Sequence, residues 1–205
     1  PHEVPSALSD LEAFIRARDP MSALVRAGLA HAQFETIHPF LDGNGRVGRL
    51  LITFMLCERE ILIKPVLYLS SYFKRHREQY YEMLQSVRDG GDWESWLVFF
   101  LTAVAEVSNE STETARRIVE LRERHRNVIT GHFGRGAASG LRVLESLYSR
   151  PIVSVNQIRD TTGTSYTAAN GLTERFVEHG ILHEATGQAR NRLFRYSEYV
   201  GIFAD

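Results

Sequence analysis

Twelve residues, His38-Pro39-Phe40-Leu41-Asp42-Gly43-Asn44-Gly45-Arg46-Val47-Gly48-Arg49, constrain what this chain can become more than any other stretch. They set an imidazole, a carboxylate, an amide, glycines and two guanidiniums between two apolar runs, Leu24 to Phe34 upstream and Leu50 to Leu56 downstream. Both runs read as buried helices, so the polar stretch is a loop clamped between rigid elements. Gly43 and Gly45 bracket Asn44, which lets successive backbone N–H groups turn to one side and form an anion nest. A helix expected to start near Arg46 adds its free N–H groups and its dipole to the same place. Arg46 and Arg49 can each grip phosphate oxygens with a planar fork. Asp42 beside such a nest makes sense if a hard cation such as Mg²⁺ stands between carboxylate and phosphate. His38 brings the side chain most used as a general base. The stretch reads as a polyphosphate site with Mg²⁺ and a base next to it.

Simpler readings account for less. His-Pro alone marks a helix end, because the residue before proline is pushed out of the helical region. Gly-Asn-Gly alone makes a turn. Neither needs Asp42, Arg46 and Arg49 as well. Gly43, Gly45 and Gly48 also fit G-x-G-x-x-G, but that dinucleotide fingerprint follows a β-strand and the segment here is helical in period. The chain has no G-x-x-x-x-G-K-[ST], which excludes a P-loop.

The twelve residues resemble the signature of the Fic (filamentation-induced-by-cAMP) domain family, H-P-F-x-[DN]-G-N-G-R-x-x-R, and match it at every specified position. Phe34-Glu35-Thr36-Ile37, Tyr80-Tyr81-Glu82-Met83-Leu84 and Trp93-Glu94-Ser95-Trp96 also look like the family. The resemblance covers roughly residues 1–107, and the C-terminal part is similar to the winged-helix extension of some members. It implies a mainly α fold: an all-helical core over 1–107, a linking helix and Gly-rich boundary over 108–139, and a smaller winged-helix domain over 140–205. It implies a protein adenylyltransferase that moves AMP from ATP to a Ser, Thr or Tyr hydroxyl of a target protein with release of pyrophosphate, or, as in a few members, a transferase of another phosphate-containing group. His38 would then deprotonate the hydroxyl. Asp42 would hold Mg²⁺ against the α- and β-phosphates. Asn44 and the N–H groups of Gly43 and Gly45 would stabilise the α-phosphate, and Arg46 and Arg49 would grip the β- and γ-phosphates. Val47 and Gly48 complete the implied nucleotide-binding run, with Tyr80 and Tyr81 near the adenine and Arg88 at the border of that pocket. Phe40 is expected to pack under the loop.

Two features of the family are not legible. A β-hairpin flap precedes the first helix in members, and Pro1–Pro5 are at most its trailing edge. The nearest approach to the inhibitory pattern [ST]-x-x-x-E-[GN] is Thr102–Glu106, followed by Val107 in an apolar helix, and it does not qualify.

Composition sets the frame. Apolar content of 43% and charged content of 24% suit a soluble globular protein. A net charge of −1 gives no global pull toward nucleic acid or anionic membrane. The single Cys57 rules out an internal disulfide, suits a cytoplasmic protein, and in its apolar run is expected to be a buried, inert thiol. No apolar run spans a bilayer and no signal peptide is visible. The start at Pro1 suggests a processed or trimmed piece of something longer.

Along the chain, Leu8, Leu11, Phe14 and Ile15 predict a helix over 6–18, with Ser6 or Ser9 as cap. Helices follow over 21–37 and 46–59. Lys64-Pro65-Val66-Leu67 is a connection, since Pro65 cannot sit inside a helix. One helix is expected from Ser70 or Ser71 to about Val87, broken by Gly90-Gly91-Asp92. Trp93, Trp96, Leu97, Phe100, Leu101 and Val104 mark the next. Residues 108–130 read as a long, mostly solvated linking helix, and Gly131, Gly134, Gly136 and Gly140 as a loose boundary. Helices are then expected over Leu141–Tyr148, Val155–Asp160 and Ser165–Glu178, ended by Gly180. Strands Ile181–Glu184 and Arg192–Tyr196 complete a winged helix, a module that often binds DNA. Against that, Arg142, Arg150, Arg159, Arg175, Arg190, Arg192 and Arg195 are matched one for one by Glu145, Asp160, Glu174, Glu178, Glu184, Glu198 and Asp205. A DNA reader shows a basic face, so a protein-contact or dimerisation module stands equally beside it, with room for a homodimer. His31 reads as a satisfied helix residue. His76, His125, His132, His179 and His183 show no metal spacing. The function classes in play are a nucleotidyltransferase, a DNA-binding regulator that senses nucleotide, and an interaction module.

Overall fold

In the computed structural model of the chain, residues 2–62, 68–188 and 190–204 are described; the expected connection Lys64–Leu67 lies outside them. The chain divides into two compact units, 1–111 and 112–205. Set beside the expected bounds of 107 and 139, the helical stretch after Thr112 already supplies core residues to the second unit.

The first unit is all helical. Helix α1 is Val4–Arg16, α2 Ala23–Ile37, α3 Asn44–Glu58, α4 Leu69–Arg75 and α5 Arg77–Gly90; α6, Trp93–His132, contributes its first part. Val4 and Pro5 open α1, with Pro5 in the first turn where its missing N–H costs nothing. They are therefore not the trailing edge of a hairpin, and Ser6 and Ser9 lie inside the helix and do not cap it. The single helix expected from Ser70 to Val87 is two, broken at His76, whose backbone (φ −108°, ψ 41°) leaves the helical region. Gly91 takes φ +68° and closes α5, its N–H donating to the Val87 carbonyl at 3.0 Å.

The core gathers around α2. Ala27, Ala30 and Ala32 are fully buried on it, and small residues there let α6 come close. The buried Trp96 donates its indole N–H to the Gly28 carbonyl at 2.9 Å. A Cβ at Gly28 would stand 2.8 Å from the Phe100 ring, so glycine is what this contact allows. Arg26 is buried and staples α2 to the preceding loop. It donates to the Phe14 carbonyl at 2.6 Å and to the Asp19 carboxylate, with its guanidinium 4.9 Å from the Phe14 ring. The Arg26 bond holds the Asp19 carboxyl below the usual range. Cys57 is half-buried rather than enclosed.

The second unit holds the later part of α6, then α7 Ala137–Leu147, α8 Val155–Thr162, α9 Tyr166–Glu178, the short α10 Ser197–Gly201, and strands β1 Ile152–Ser154, β2 His183–Glu184 and β3 Leu193–Arg195. The sheet order is β1-β3-β2, antiparallel throughout. Val153 opposite Phe194 puts two buried side chains on the core face. β1 was not expected from the sequence. The expected boundary glycines split in role. Gly131 is inside α6 and Gly134–Gly136 form a 3₁₀ turn, while a Cβ at Gly140 would stand 2.8 Å from Ile129 and 3.0 Å from Phe133. Ser154 caps α8 in a reciprocal capping box with Gln157, an arrangement worth about 1 kcal/mol. Ser165 accepts from the Ala168 N–H and caps α9. The helix ends at Glu178 with His179 as its C-cap, and Gly180 turns the chain with φ +68°.

Candidate active site

The site begins where α2 stops. His38 is the C-cap of α2 and adopts φ 50°, ψ 56°, with its N–H donating to the Phe34 carbonyl at 3.0 Å. Pro39 disfavours the right-handed helical region for His38, and histidine is among the few residues that tolerate the left-handed one. The imidazole is exposed.

The loop from Phe40 to Gly43 is held by Asn44. Its side-chain oxygen accepts from the Phe40 N–H at 2.9 Å, and its amide donates to the Phe40 carbonyl at 2.5 Å. Asn44 is buried, so both bonds are partly shielded from water. Phe40 leans on Phe34, ring centroids 6.3 Å apart, yet stays half-exposed instead of lying under the loop.

Gly43 is the N-cap of α3 and needs its positive φ of +88°. The helix starts at Asn44, two residues before the expected Arg46. Arg46 N–H and Val47 N–H both donate to the Gly43 carbonyl at 3.0 Å. The N–H groups of Gly43, Asn44 and Gly45 have no partner among the described residues. The anion nest read from the sequence is thus the open N-terminus of a 15-residue helix, with its dipole aimed along the same direction.

Around that N-terminus the charges are unevenly exposed. Asp42 has 95% of its side chain exposed and Arg46 77%, with 3.5 Å between them. Arg49, one turn further on, is half-buried and forms no ion pair among the described residues. Val47 is on the exposed side and Gly48 on the buried side, facing His31 and Glu35.

The residues expected around an adenine are spread in depth. Tyr80 is buried, and its hydroxyl stands 3.0 Å from His31 Nε2. Burial pushes that phenol above its usual range. Tyr81 is exposed, packs edge-on to Tyr80 at 5.3 Å and lies 5.7 Å from the Arg77 guanidinium. Arg88 donates to the Glu35 carbonyl at 2.6 Å and to the Thr36 hydroxyl at 3.4 Å, tying α5 to the end of α2 just before His38.

Two polar residues beneath the site were not singled out by the sequence as functional. His31 is fully buried, its ring stacked between Phe73 and Trp96, and burial pushes its pKa down to about 4, so it is neutral. Glu35, one turn later on α2, is 6% exposed. Burial raises its carboxyl above the usual range, against the pull of His38, Arg49 and Arg88. The one sequence signal was that His31 and Glu35 are spaced i, i+4 and so lie on one face of the helix that leads into the loop. Among the described residues no group of three His, Cys, Asp or Glu side chains could hold a metal ion, and no helix is long and apolar enough to cross a membrane.

Residues 1–56 match the family model for the Fic/DOC family. A probable protein adenylyltransferase of Aquifex aeolicus is 32% identical over 90 residues, which is 44% of this chain and 26% of that protein. The protein adenylyltransferase Fic of Culex quinquefasciatus is 34% identical over 92 residues, 44% of this chain and 17% of that protein. That of Aedes aegypti is 41% identical over 64 residues, 31% of this chain and 12% of that protein. The chain therefore spans about a quarter or less of the curated relatives it matches. A crystal structure of a Fic family protein from Desulfovibrio desulfuricans G20 shares the fold with a TM-score of 0.53 at 20% identity, over 95% of this chain and 55% of that one.

Proposed function

We propose that this chain, whose residues 1–56 match the Fic/DOC family model, is a protein adenylyltransferase that moves AMP from ATP to a hydroxyl side chain of a target protein. The observation that carries the reading is the open N-terminus of α3, with unpartnered N–H groups at Gly43, Asn44 and Gly45, Arg46 and Arg49 on the following turns, and His38 at the other end of the loop. Phosphoryl-type transfer asks a protein mainly for positioning and for charge stabilisation, and those groups supply both. His38 takes the proton of the incoming hydroxyl, the freed oxygen bonds to the α-phosphorus, and the bond to the bridging oxygen breaks to release pyrophosphate. The α3 amides stabilise the charge on the α-phosphate as it shifts, and the arginines hold the β- and γ-phosphates.

Asp42 is a lone exposed carboxylate. That donor set fits Mg²⁺ carried in on the nucleotide phosphates, an ion usually bound by one or two carboxylates plus phosphate oxygens and water. Bound there, Mg²⁺ would supply neutralisation of phosphate charge.

The second unit has the ingredients of a winged helix: a helix pair α8 and α9, then strand β3 pairing with both β1 and β2. Over residues 141–205 its seven arginines are matched by seven acidic residues, and we read that part as a surface for protein rather than for DNA. Fluorescence anisotropy with the full chain and duplex DNA checks this; tight, sequence-specific and steeply salt-dependent binding would overturn it.

The transferase reading is tested by incubating the chain with Mg²⁺, a cell lysate and ATP labelled on either the α- or the γ-phosphate. Label on protein from α-labelled ATP alone is expected. Label from γ-labelled ATP would make the chain a kinase instead.

A further inference from the structure

A closed polar cell lies under the first turns of α3, and the transfer chemistry above does not use it. Glu35 and His31 project from the same face of α2, and among the described residues each keeps one buried side-chain atom without a hydrogen-bond partner of good geometry, Glu35 Oε1 and His31 Nδ1. These two atoms meet at one place. A Cβ on Gly48 would stand 2.6 Å from Glu35 Oε1 and 3.1 Å from His31 Nδ1. One turn earlier, a Cβ on Gly45 would stand 3.8 Å from the same Oε1 and 3.1 Å from Arg49 Nη1. Gly45 and Gly48 thus leave open the space that brings a buried carboxylate up to the motif helix and toward its second arginine. Behind the carboxylate, His31 Nε2 is bonded to the Tyr80 hydroxyl at 3.0 Å, and Arg88 grips the Glu35 carbonyl. A buried acceptor without a donor is costly, and this one faces the site.

We propose that Glu35 is a positioning residue for Arg49: its buried carboxylate, admitted beside α3 by Gly45 and Gly48, orients the guanidinium over the first turn of α3, where it meets phosphate. The proposal rests on the nucleotide reading of the site, but it can be examined without nucleotide. Glu35→Gln keeps the size and removes the charge. Gly48→Ala pushes a methyl into the cell while favouring the helix itself, since alanine is the better helix former.

Arg49 reactivity toward phenylglyoxal, followed by peptide mass mapping of the full chain without nucleotide, reads the orientation directly. Modification several-fold faster in Glu35→Gln and in Gly48→Ala than in the parent chain is expected, and unchanged rates in both would overturn the proposal. With ATP and Mg²⁺, a calorimetric double-mutant cycle gives a second reading. Glu35→Gln should weaken ATP by about tenfold in the parent chain and by less than about twofold in an Arg49→Ala background, the signature of residues acting as a unit. Equal losses in both backgrounds, or tighter ATP binding in Glu35→Gln, would overturn it. Failure of the parent chain to bind ATP would overturn the nucleotide reading alone, and the Arg49 labelling would still decide the role of Glu35.

Discussion

Arg49→Ala should weaken ATP binding far more than Arg46→Ala, and more than it weakens ADP. Arg46 extends into solvent and lies 3.5 Å from Asp42. Water and salt screen an exposed pair of that kind, which is worth at most about 1 kcal/mol, so its loss should cost a few-fold in affinity. Arg49 is half-buried and has no ion pair among the described residues, which leaves its donor fork for ligand. A hydrogen bond to a charged group contributes about 1.5–3 kcal/mol, and 1.4 kcal/mol is about tenfold in affinity. The expected loss for ATP is therefore about 10–100-fold. If the α-phosphate sits on the free N–H groups of Gly43–Gly45 and the phosphate chain runs along α3, the γ-phosphate is the one that reaches Arg49, and ADP should lose little. Calorimetric titration of both variants with ATP and ADP, with and without Mg²⁺, measures all of these. Equal losses for ATP and ADP in Arg49→Ala would mean the phosphates run the other way, and a transfer of the γ-phosphate would then fit the site better than transfer of AMP.

His38→Ala should lower AMP transfer by about 10²–10⁴-fold, the range of a general base, and leave ATP affinity nearly intact, because the imidazole acts on the hydroxyl; loss of ATP binding in parallel would refute that role. Asn44→Ala removes two part-buried bonds to Phe40 and should lower thermal stability by about 2 kcal/mol at about 1 kcal/mol per bond, with faster proteolysis at Phe40–Gly43; an unchanged melt and unchanged cleavage would mean that the loop holds itself. His31 gives a pH signature. The folded state keeps it neutral down to about pH 4, whereas the unfolded chain takes up that proton near its ordinary value, so the unfolded state binds more protons in between. Stability should therefore rise from pH 4 to about 6.5, by up to about 3 kcal/mol from this group, and level off above. Urea melts of His31→Gln at pH 4.5 and 7 should show a smaller difference than the parent chain, and an equal difference would show that other groups carry it.

The candidate site was legible in the sequence because its residues, from His38 to Arg49, are contiguous. Polar residues between two apolar helical runs announce a loop without any tertiary knowledge. What lay deeper depended on contacts from far along the chain. The break at His76 does not interrupt the apolar period of Leu69, Tyr72, Phe73, Tyr80 and Leu84, so periodicity alone continues through it. β1 is only Ile152–Ser154, and it exists because β3, about forty residues later, pairs with it. Gly140 looked like a breaker, although its lack of a side chain admits Ile129 and Phe133. Glu35 appeared in the sequence only within the family-like run Phe34–Ile37, and its burial goes with Gly45 and Gly48 on the next helix, where a Cβ at Gly48 would stand 2.6 Å from its carboxylate.

The residue that caps α2 is also the proposed base. At φ 50° its backbone is in the region where glycine rests without strain, so glycine at position 38 would relax the chain while deleting the imidazole. Selection for a sturdier protein and selection for a working one pull on this codon in opposite directions. A library screened for heat resistance alone should drift toward His38→Gly and toward inactivity together, whereas any lineage that keeps histidine there is under selection to use it.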